Sequence, residues 1–190
     1  MRLLTLAILI TFLFLGRTEA QEISVEKSIW GVQAGIYPLS VYNESKLSNN
    51  ISLRSELFLG FGWMSGHSSS TDWAIAPYIN VEPRWYYNLQ RRANKEKRTD
   101  NNSGNYLSMQ VGCQPGFGIS SNNATFNPAV YAIPTYGLRR NIGTHFNFET
   151  AFGLGYGWVF EEYVRMDGST FRKTENGVSY NIRIAIGYLF

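Results

Sequence analysis

His145, Asn147 and Glu149 bring acid–base and hydrogen-bonding side chains to alternate positions of one segment. A histidine can activate a serine for acyl transfer when the serine hydroxyl lies within hydrogen-bond reach. No serine follows the local pattern expected of such a group, and the nearest candidates, Ser108 and Ser179, belong to other segments. We therefore predict a protein that is not an enzyme and has no catalytic residue, and keep a lipid acyl hydrolase as the alternative.

The remaining metal-binding and nucleophilic side chains are sparse. His67 and Asp72 share one polar stretch, whereas a metal site needs three or four ligands. Cys113 is the single cysteine, which excludes an internal disulfide and a cysteine-rich metal site. The alternating glycines between residues 153 and 157 lack the spacing of a nucleotide-binding loop. The sequence predicts no metal and no cofactor.

Charged side chains recur at every second position in several segments, so that within each segment they face the same way. If the segments are strands of one closed sheet, these charges meet inside it, where an unpaired charge is too costly to persist. We predict a paired network that fills a narrow interior and leaves little room for a channel. Its predicted members are four acids and four bases: Glu44, Lys46, Arg54, Glu56, Glu82, Arg84, Glu149 and Arg183.

The elements that position these residues are predicted β-strands, because apolar and polar residues alternate with a period of two along most of the chain. Eight strands are predicted, with a reversal near Pro38 between the first two. Prolines in the fourth and sixth strands should require bulges or strand ends, since proline cannot donate to a ladder. The predicted strands cover residues 27–37, 39–47, 51–63, 72–88, 105–117, 127–139, 144–160 and 177–190, and the prolines are Pro77, Pro83, Pro128 and Pro134.

The composition favours a β-rich chain with an unusually uncharged surface. Of the 190 residues, 44% are hydrophobic, 15% are aromatic and only 16% are charged, against about 25% charged in a typical soluble domain. The length allows one domain. The net charge of +3 is small and comes largely from one basic segment, so the balance of charge gives little support to a nucleic-acid partner.

Residues 1–20 have the pattern of a removable signal peptide: a basic Arg2, an apolar run from Leu3 to Leu15, and small residues up to Ala20. The apolar run is shorter than the ~20 residues of a membrane-spanning helix. The mature chain is expected at residues 21–190. No later segment has a long apolar run, so a mature chain that enters a membrane would have to do so as a closed barrel.

Aromatic residues mark both ends of the predicted apolar face. Trp73 and Trp85 stand twelve residues apart on one face, as do Phe146 and Trp158. At ~3.3 Å per residue and a tilt of ~40°, twelve residues rise about 30 Å, close to the apolar band of a transmembrane barrel with its flanking girdles. We predict an aromatic girdle formed by Trp30, Trp63, Trp73, Trp85 and Trp158.

The basic segment at residues 91–100 would join two strands on the side that carries both termini, where turns are usually short. It is expected to be a solvated insertion. The sharper hypothesis is that it contacts anionic headgroups or a periplasmic partner.

The chain resembles small outer-membrane β-barrel proteins, in its leader, its alternating strands and a last strand that ends in Tyr188 and Phe190. In that family an apolar last strand with a terminal aromatic residue is the signal read by the barrel-assembly machinery, which the resemblance assigns to Tyr188 and Phe190. The stretches PRWYYNLQRR, NNSGNY and LRRNIGTHFNFE are similar to uncharacterised barrels of Bacteroidota, Gram-negative bacteria, and imply no activity.

These observations predict an all-β fold, an eight-stranded antiparallel up-and-down transmembrane β-barrel in the outer membrane and in contact with its lipid. A structural or loop-mediated binding role is expected, through loops near residues 64–72, 118–126 and 161–176. A soluble secreted barrel with an apolar ligand inside is a further alternative, which requires an apolar interior and a polar exterior.

Overall fold

The computed structural model of the protein describes residues 23–36, 39–65, 71–121, 125–164 and 169–190. The predicted signal peptide and His67 lie outside this part of the chain. Within it, nine strands form one antiparallel sheet: β1 (Ser28–Gly35), β2 (Leu39–Lys46), β3 (Ile51–Ser65), β4 (Thr71–Trp85), β5 (Asn105–Gln114), β6 (Ile119–Ser120), β7 (Ala129–Ile142), β8 (Phe146–Val164) and β9 (Thr170–Leu189).

The sheet closes in a ring of eight strands. Apart from β6, strands that follow one another along the chain pair with each other, and β1 closes the ring against β9, where Gly31 lies opposite Leu189 and Gly35 opposite Ala185. The two-residue strand β6 pairs with β4 beyond the end of β5. The prediction of an all-β chain is therefore confirmed, and its eight strands form the ring, with β6 as a short addition.

Several predicted boundaries are wrong. The predicted strands 72–88 and 105–117 end early, at Trp85 and Gln114, and the predicted strand 127–139 continues to Ile142. The region 161–176, predicted as a loop, is mostly a long hairpin in which Glu162 lies opposite Arg172 and Phe160 opposite Thr174. Because this ribbon extends beyond the partner strands of the ring, both of its faces are exposed and polar residues occupy them without a strict alternation.

The strand prolines cause gaps in the ladder without changing its register. Between β4 and β5, pairing stops after Val81 opposite Val111 and resumes at Arg84 opposite Ser108, so that the gap spans Pro83. Between β7 and β8, it stops after Ala132 and resumes at Thr135, so that the gap spans Pro134. The expectation of bulges or strand ends at these two positions is thus wrong, because both strands continue in register and only the pairing at the proline is missing from the ladder.

The connections define two ends of the ring. The C-terminus, the 47–50 turn, residues 86–104 and the 143–145 turn lie at one end, which we call the terminal end. Residues 86–104 hold a short helix, Leu89–Ala93, and a 3-10 turn, Asp100–Asn102. The opposite end, here called the distal end, carries the β8–β9 hairpin, residues 115–121 and residues 125–128.

Buried and exposed residues alternate along the strands. The buried face is polar and the exposed face is apolar, which is the reverse of the arrangement in a soluble protein. In β9 the buried residues include Asn181 and Arg183, whereas Ile182, Ile184 and Ile186 are exposed on the outside of the ring. In the described part of the chain, the two clusters of buried apolar residues lie at the terminal end: one contains Val25, Tyr86, Leu89, Tyr106 and Ala151, and the other Ile29, Tyr42 and Leu189. Among the described residues, no helix has the length and apolar character needed to cross a membrane.

Candidate functional site

Six strands bring the predicted charged residues together inside the terminal half of the ring. Because side chains alternate across a strand, residues two apart such as Arg54 and Glu56, or Glu82 and Arg84, reach the interior from the same strand. Seven of the eight predicted members are in the resulting cluster, joined by one arginine that was not predicted. The cluster, which we call the charged plug, consists of Glu44, Arg54, Glu56, Glu82, Arg84, Arg139, Glu149 and Arg183, all of them buried.

Glu149 is the centre of the charged plug, with four guanidinium groups around one carboxylate. Arg84 Nη2 and Arg183 Nη1 each donate to Glu149 Oε1 at 2.8 Å. Arg139 Nη2 donates to Glu149 Oε2 at 2.9 Å, and Arg54 Nη1 at 3.3 Å. A charge-assisted hydrogen bond is roughly twice as strong as a neutral one, so Glu149 links residues of four different strands.

The other three carboxylates neutralise the outer sides of these arginines. Glu82 accepts from Arg84 at 2.8 Å and from Arg183 at 3.1 Å. Glu56 lies 2.7 Å from Arg54 and 3.2 Å from Arg183. Glu44 Oε2 lies 2.9 Å from Arg139 Nη1, an ion pair outside the ideal hydrogen-bond direction. Four glutamates and four arginines thus carry equal and opposite formal charge, as a buried cluster requires.

The network prediction was wrong about one base. Lys46, which was predicted as a member, is only half-buried at the end of β2, and its Nζ donates to Ser24 Oγ at 3.0 Å. Arg139 takes its place, fully buried and in contact with Glu44 and Glu149. Arg139 stands an even number of residues from Tyr131 and Thr135, on the polar face of the predicted strand 127–139, and this is the signal that could have identified it.

Tyrosine rings cover the flat faces of two plug arginines. The Arg54 guanidinium lies 3.6 Å from the centre of the Tyr42 ring, and that of Arg84 lies 4.2 Å from the centre of the Tyr106 ring. Tyr106 also donates its hydroxyl to Glu149 at 2.8 Å. A Cβ on Gly137 would lie 2.2 Å from the Tyr106 ring, so this glycine provides the space in which the tyrosine lies.

Residues 86–104 close the terminal end of the ring beneath the charged plug. Asn102 is completely buried, donates its amide to Glu44 at 2.7 Å, and accepts from the backbone N–H of Glu26 at 2.8 Å. Its φ of 60°, like that of 48° at neighbouring Asn101, is in the left-handed region that asparagine tolerates better than most residues. Sequence analysis assigned no role to Asn102, and the asparagine pair before Ser103 and Gly104 was the available signal.

Some basic residues of the 91–100 segment contact other residues of the chain, and others are exposed to solvent. Arg98 donates to Asp100 at 2.6 Å, and this bond holds the pKa of the Asp100 carboxyl below its ordinary value. Arg91, Lys95 and Lys97 are exposed at the terminal end. The segment therefore has a structural part that closes the ring and an exposed basic part that can meet an anionic surface.

The chemistry that the charged plug supports is ion pairing, because its arginines keep their protons in proteins and each of its glutamates is paired with at least one arginine. His145 is exposed in the 143–145 turn, with its Nδ1 2.7 Å from Thr144 Oγ1 and its ring stacked on Tyr188. Asn147 and Glu149 are buried inside the ring whereas His145 is exposed, so the three side chains do not share one environment. Ser108 donates to Glu82 at 2.7 Å.

No group of three or more metal-ligating side chains occurs among the described residues. Cys113 is a partly exposed free thiol on the outer face of β5, paired across the sheet with Val130 and Ile79. In the described part of the chain, these residues provide no metal site.

Four of the predicted girdle tryptophans are exposed on the outside of the ring: Trp30, Trp73, Trp85 and Trp158. The side chain of Trp63 lies outside the described part. Tyr188 and Phe190, assigned to the assembly signal by resemblance, are also exposed, with ring centres 5.7 Å apart.

No protein-family model, no curated protein sequence and no solved structure matches the chain. Its function must therefore be inferred from its own sequence and geometry.

Proposed function

We propose that this protein is an integral outer-membrane β-barrel whose polar interior is closed by the charged plug, and that it has a structural or loop-mediated binding role rather than that of an open pore. The single observation that carries the proposal is the inverted burial of the ring. Glutamates and arginines occupy its interior, while isoleucine, leucine, valine and phenylalanine side chains cover its outside.

An apolar exterior of this extent is unfavourable in water. Burial of apolar surface is worth roughly 25 cal/mol per Å², and soluble monomers rarely expose a continuous apolar patch of more than a few hundred Å². Exposed apolar residues occur on every long strand of the ring, for example Val41, Leu57, Ile79, Val111 and Ile184. Hydrocarbon chains of lipid would cover this surface without requiring a protein partner.

The aromatic residues support a bilayer orientation. Trp30, Trp85 and Tyr188 lie near the terminal end, and Trp73 and Trp158 near the distal end, with the aliphatic residues between the two groups. Indole and phenol rings favour the headgroup region on both sides of an apolar band. The two levels of aromatic residues are thus the proposed contacts with the two interfaces.

The charged plug supports a closed interior. Its side chains cross the ring from β2, β3, β4, β7, β8 and β9 and leave little surface exposed, since each of the eight residues is buried. An ion would have to separate these pairs to pass, and each separation would leave an uncompensated buried charge. Little steady conductance is therefore expected.

The two alternatives are less well supported. A soluble carrier of an apolar ligand would need an apolar interior and a polar exterior, opposite to the observed faces. A lipid acyl hydrolase of the serine type would need a serine hydroxyl beside His145, whereas Ser108, a candidate serine, donates its hydroxyl to Glu82. The assembly machinery and outer-membrane lipid remain proposed partners, and the exposed basic residues of the 91–100 segment are proposed to face anionic headgroups.

Fractionation of cells that express the full chain tests the proposal. We expect recovery with the outer membrane after an alkaline carbonate wash, and a band that migrates faster without boiling than after boiling, because a closed sheet resists detergent until heated. Recovery as a soluble periplasmic protein without detergent would contradict the membrane location.

Planar-bilayer recordings of the purified protein test the closed interior separately. We expect only rare, brief currents. Large and steady single-channel currents would contradict the plug, even if the membrane location is correct.

A further inference from the structure

The distal half of the ring encloses a chamber that plays no part in the charged plug. Its volume is about 830 Å³, and its lining includes Phe58, Ala76, Tyr78, Tyr131, Gln110 and Ser179. All of these side chains lie at interior positions of their strands, on the distal side of the charged plug. The chamber opens towards the distal end, where residues 125–127 contribute to its lining.

Small residues create the space. Gly60, Gly62, Ala74 and Ala76 follow one another at interior positions of β3 and β4, where the plug region has arginine and glutamate. A Cβ on Gly62 would have no heavy atom within 4 Å, so this glycine borders open space at the mouth. Bulkier residues at these positions would fill the ring, as arginine and glutamate do in the charged plug.

One polar group without a partner belongs to the lining of the chamber, and two more lie just below the lining residues. Gln110, a lining residue that is 3% exposed, has no hydrogen-bond partner for its Oε1 among the described residues. Asn80 Nδ2 and Asn181 Oδ1 are buried and likewise without a partner there, one interior position below the lining residues Tyr78 and Ser179. A buried polar group left unsatisfied costs about 1–3 kcal/mol, so these amides favour a ligand with donors and acceptors.

The chamber has no charged lining residue in the part of the chain that the structure describes. A charged ligand would lose its hydration there without gaining a counter-charge, which favours a neutral ligand. A purely apolar ligand would leave the amides unpaired. The chemistry required is therefore neutral, with hydroxyl groups and an apolar face.

Aromatic rings supply the surface for such a face. Phe58 and Tyr78 stack with centres 4.8 Å apart and planes at 8°, and Tyr131 holds its hydroxyl against Asn80 Oδ1 at 2.5 Å. We propose that the chamber binds a neutral saccharide, whose C–H faces lie on the tyrosine and phenylalanine rings while its hydroxyls pair with the buried amides. This inference goes beyond the proposed function and does not depend on membrane insertion.

Calorimetric titration of the full protein in lauryldimethylamine oxide, a detergent without a sugar headgroup, tests the proposal. The neutral probes are maltose and cellobiose, the anionic probe is glucuronate, and the apolar probe is decanol. We expect binding of at least one disaccharide with a Kd of about 1 mM or below, and no comparable binding of glucuronate or decanol. Absence of disaccharide binding at about 10 mM by correctly folded protein, or a preference for decanol, would overturn the proposal.

Matched variants locate the site. Gly62→Trp should abolish disaccharide binding by filling the mouth, whereas Leu59→Trp, on the outer face of the same strand, should leave it unchanged. Gln110→Leu should weaken binding about tenfold through the loss of one hydrogen bond, and gives a second test if Gly62→Trp does not fold. Heat-dependent gel mobility checks folding of each variant. Binding that survives both Gly62→Trp and Gln110→Leu would place the saccharide elsewhere and overturn the assignment.

Discussion

The two halves of the ring interior use the same strands and the same alternation of side chains in different ways. In the terminal half, interior positions carry arginine, glutamate and tyrosine, and the cross-section is filled by ion pairs. In the distal half, glycine, alanine and serine alternate with a few aromatic residues, and a chamber of about 830 Å³ remains. Alternation therefore determines which residues point inwards, and side-chain size and charge determine whether the interior is closed or hollow.

This difference also separates the energetics of the two halves. Removal of one charge from the charged plug leaves its partners buried and uncompensated, which typically lowers the free energy of unfolding by about 3–5 kcal/mol. Removal of a small polar group from the wall of an open chamber should change the free energy of unfolding by no more than a typical surface substitution does, about ±0.5 kcal/mol. Substitutions in the two halves should thus have effects of very different size.

Glu149→Gln should have the largest effect, because it leaves four arginines around a neutral amide. We expect the free energy of unfolding to fall by about 3–5 kcal/mol in urea titrations followed by tryptophan fluorescence. Ser179→Ala, at an interior position of the distal half, is the matched control and should change it by less than about 0.5 kcal/mol. Equal effects of the two substitutions would remove the distinction between the halves.

Arg139→Met should lower the free energy of unfolding by about 3 kcal/mol, because Glu44 and Glu149 lose a buried partner. Lys46→Met removes a base of similar charge from a half-buried position with one hydroxyl partner, and should cost at most about 1 kcal/mol. The same urea titration measures both. If Lys46→Met proves the more harmful, Lys46 belongs to the network after all and the role given to Arg139 is wrong.

Asn102→Gly should cost about 1–3 kcal/mol, because Glu44 loses a donor and the Glu26 N–H loses an acceptor. Glycine keeps the positive φ accessible, so the substitution removes the side chain without adding backbone strain. Asn101→Gly is the matched control, since Asn101 also has a positive φ but donates its backbone N–H to Glu26, a bond that glycine retains. A similar loss for both would assign the effect to backbone entropy.

The sequence predicted which way most residues face, because a period of two leaves no freedom once one side is known. It predicted less about which charged side chains pair with each other. Lys46 and Arg139 both lie on the polar face, but the register of the strands puts Arg139 opposite Glu149 and Lys46 at the end of β2. The chamber was not predicted, since it arises from small residues on several strands that are far apart in the chain.

The limits of strands were predictable only where one face is buried. The β8–β9 hairpin beyond Phe160 has no buried face, so its residues carry no alternation and residues 161–176 resembled a loop. Pro83 and Pro134 resembled interruptions of strands, yet the ladder continues in register on both sides of each gap. Pairing of the flanking residues outweighs the loss of one donor.

The central claim is that the outside of the ring contacts lipid, and Ile184→Arg tests it most directly. Ile184 lies in the middle of the outer apolar band, and Leu47, the matched control, is exposed in the turn at the terminal end. In phospholipid bilayers, Ile184→Arg should lower the free energy of unfolding by about 2–4 kcal/mol and Leu47→Arg by about 0–1 kcal/mol. Equal, near-zero effects would mean that Ile184 is exposed to water, and would contradict the account.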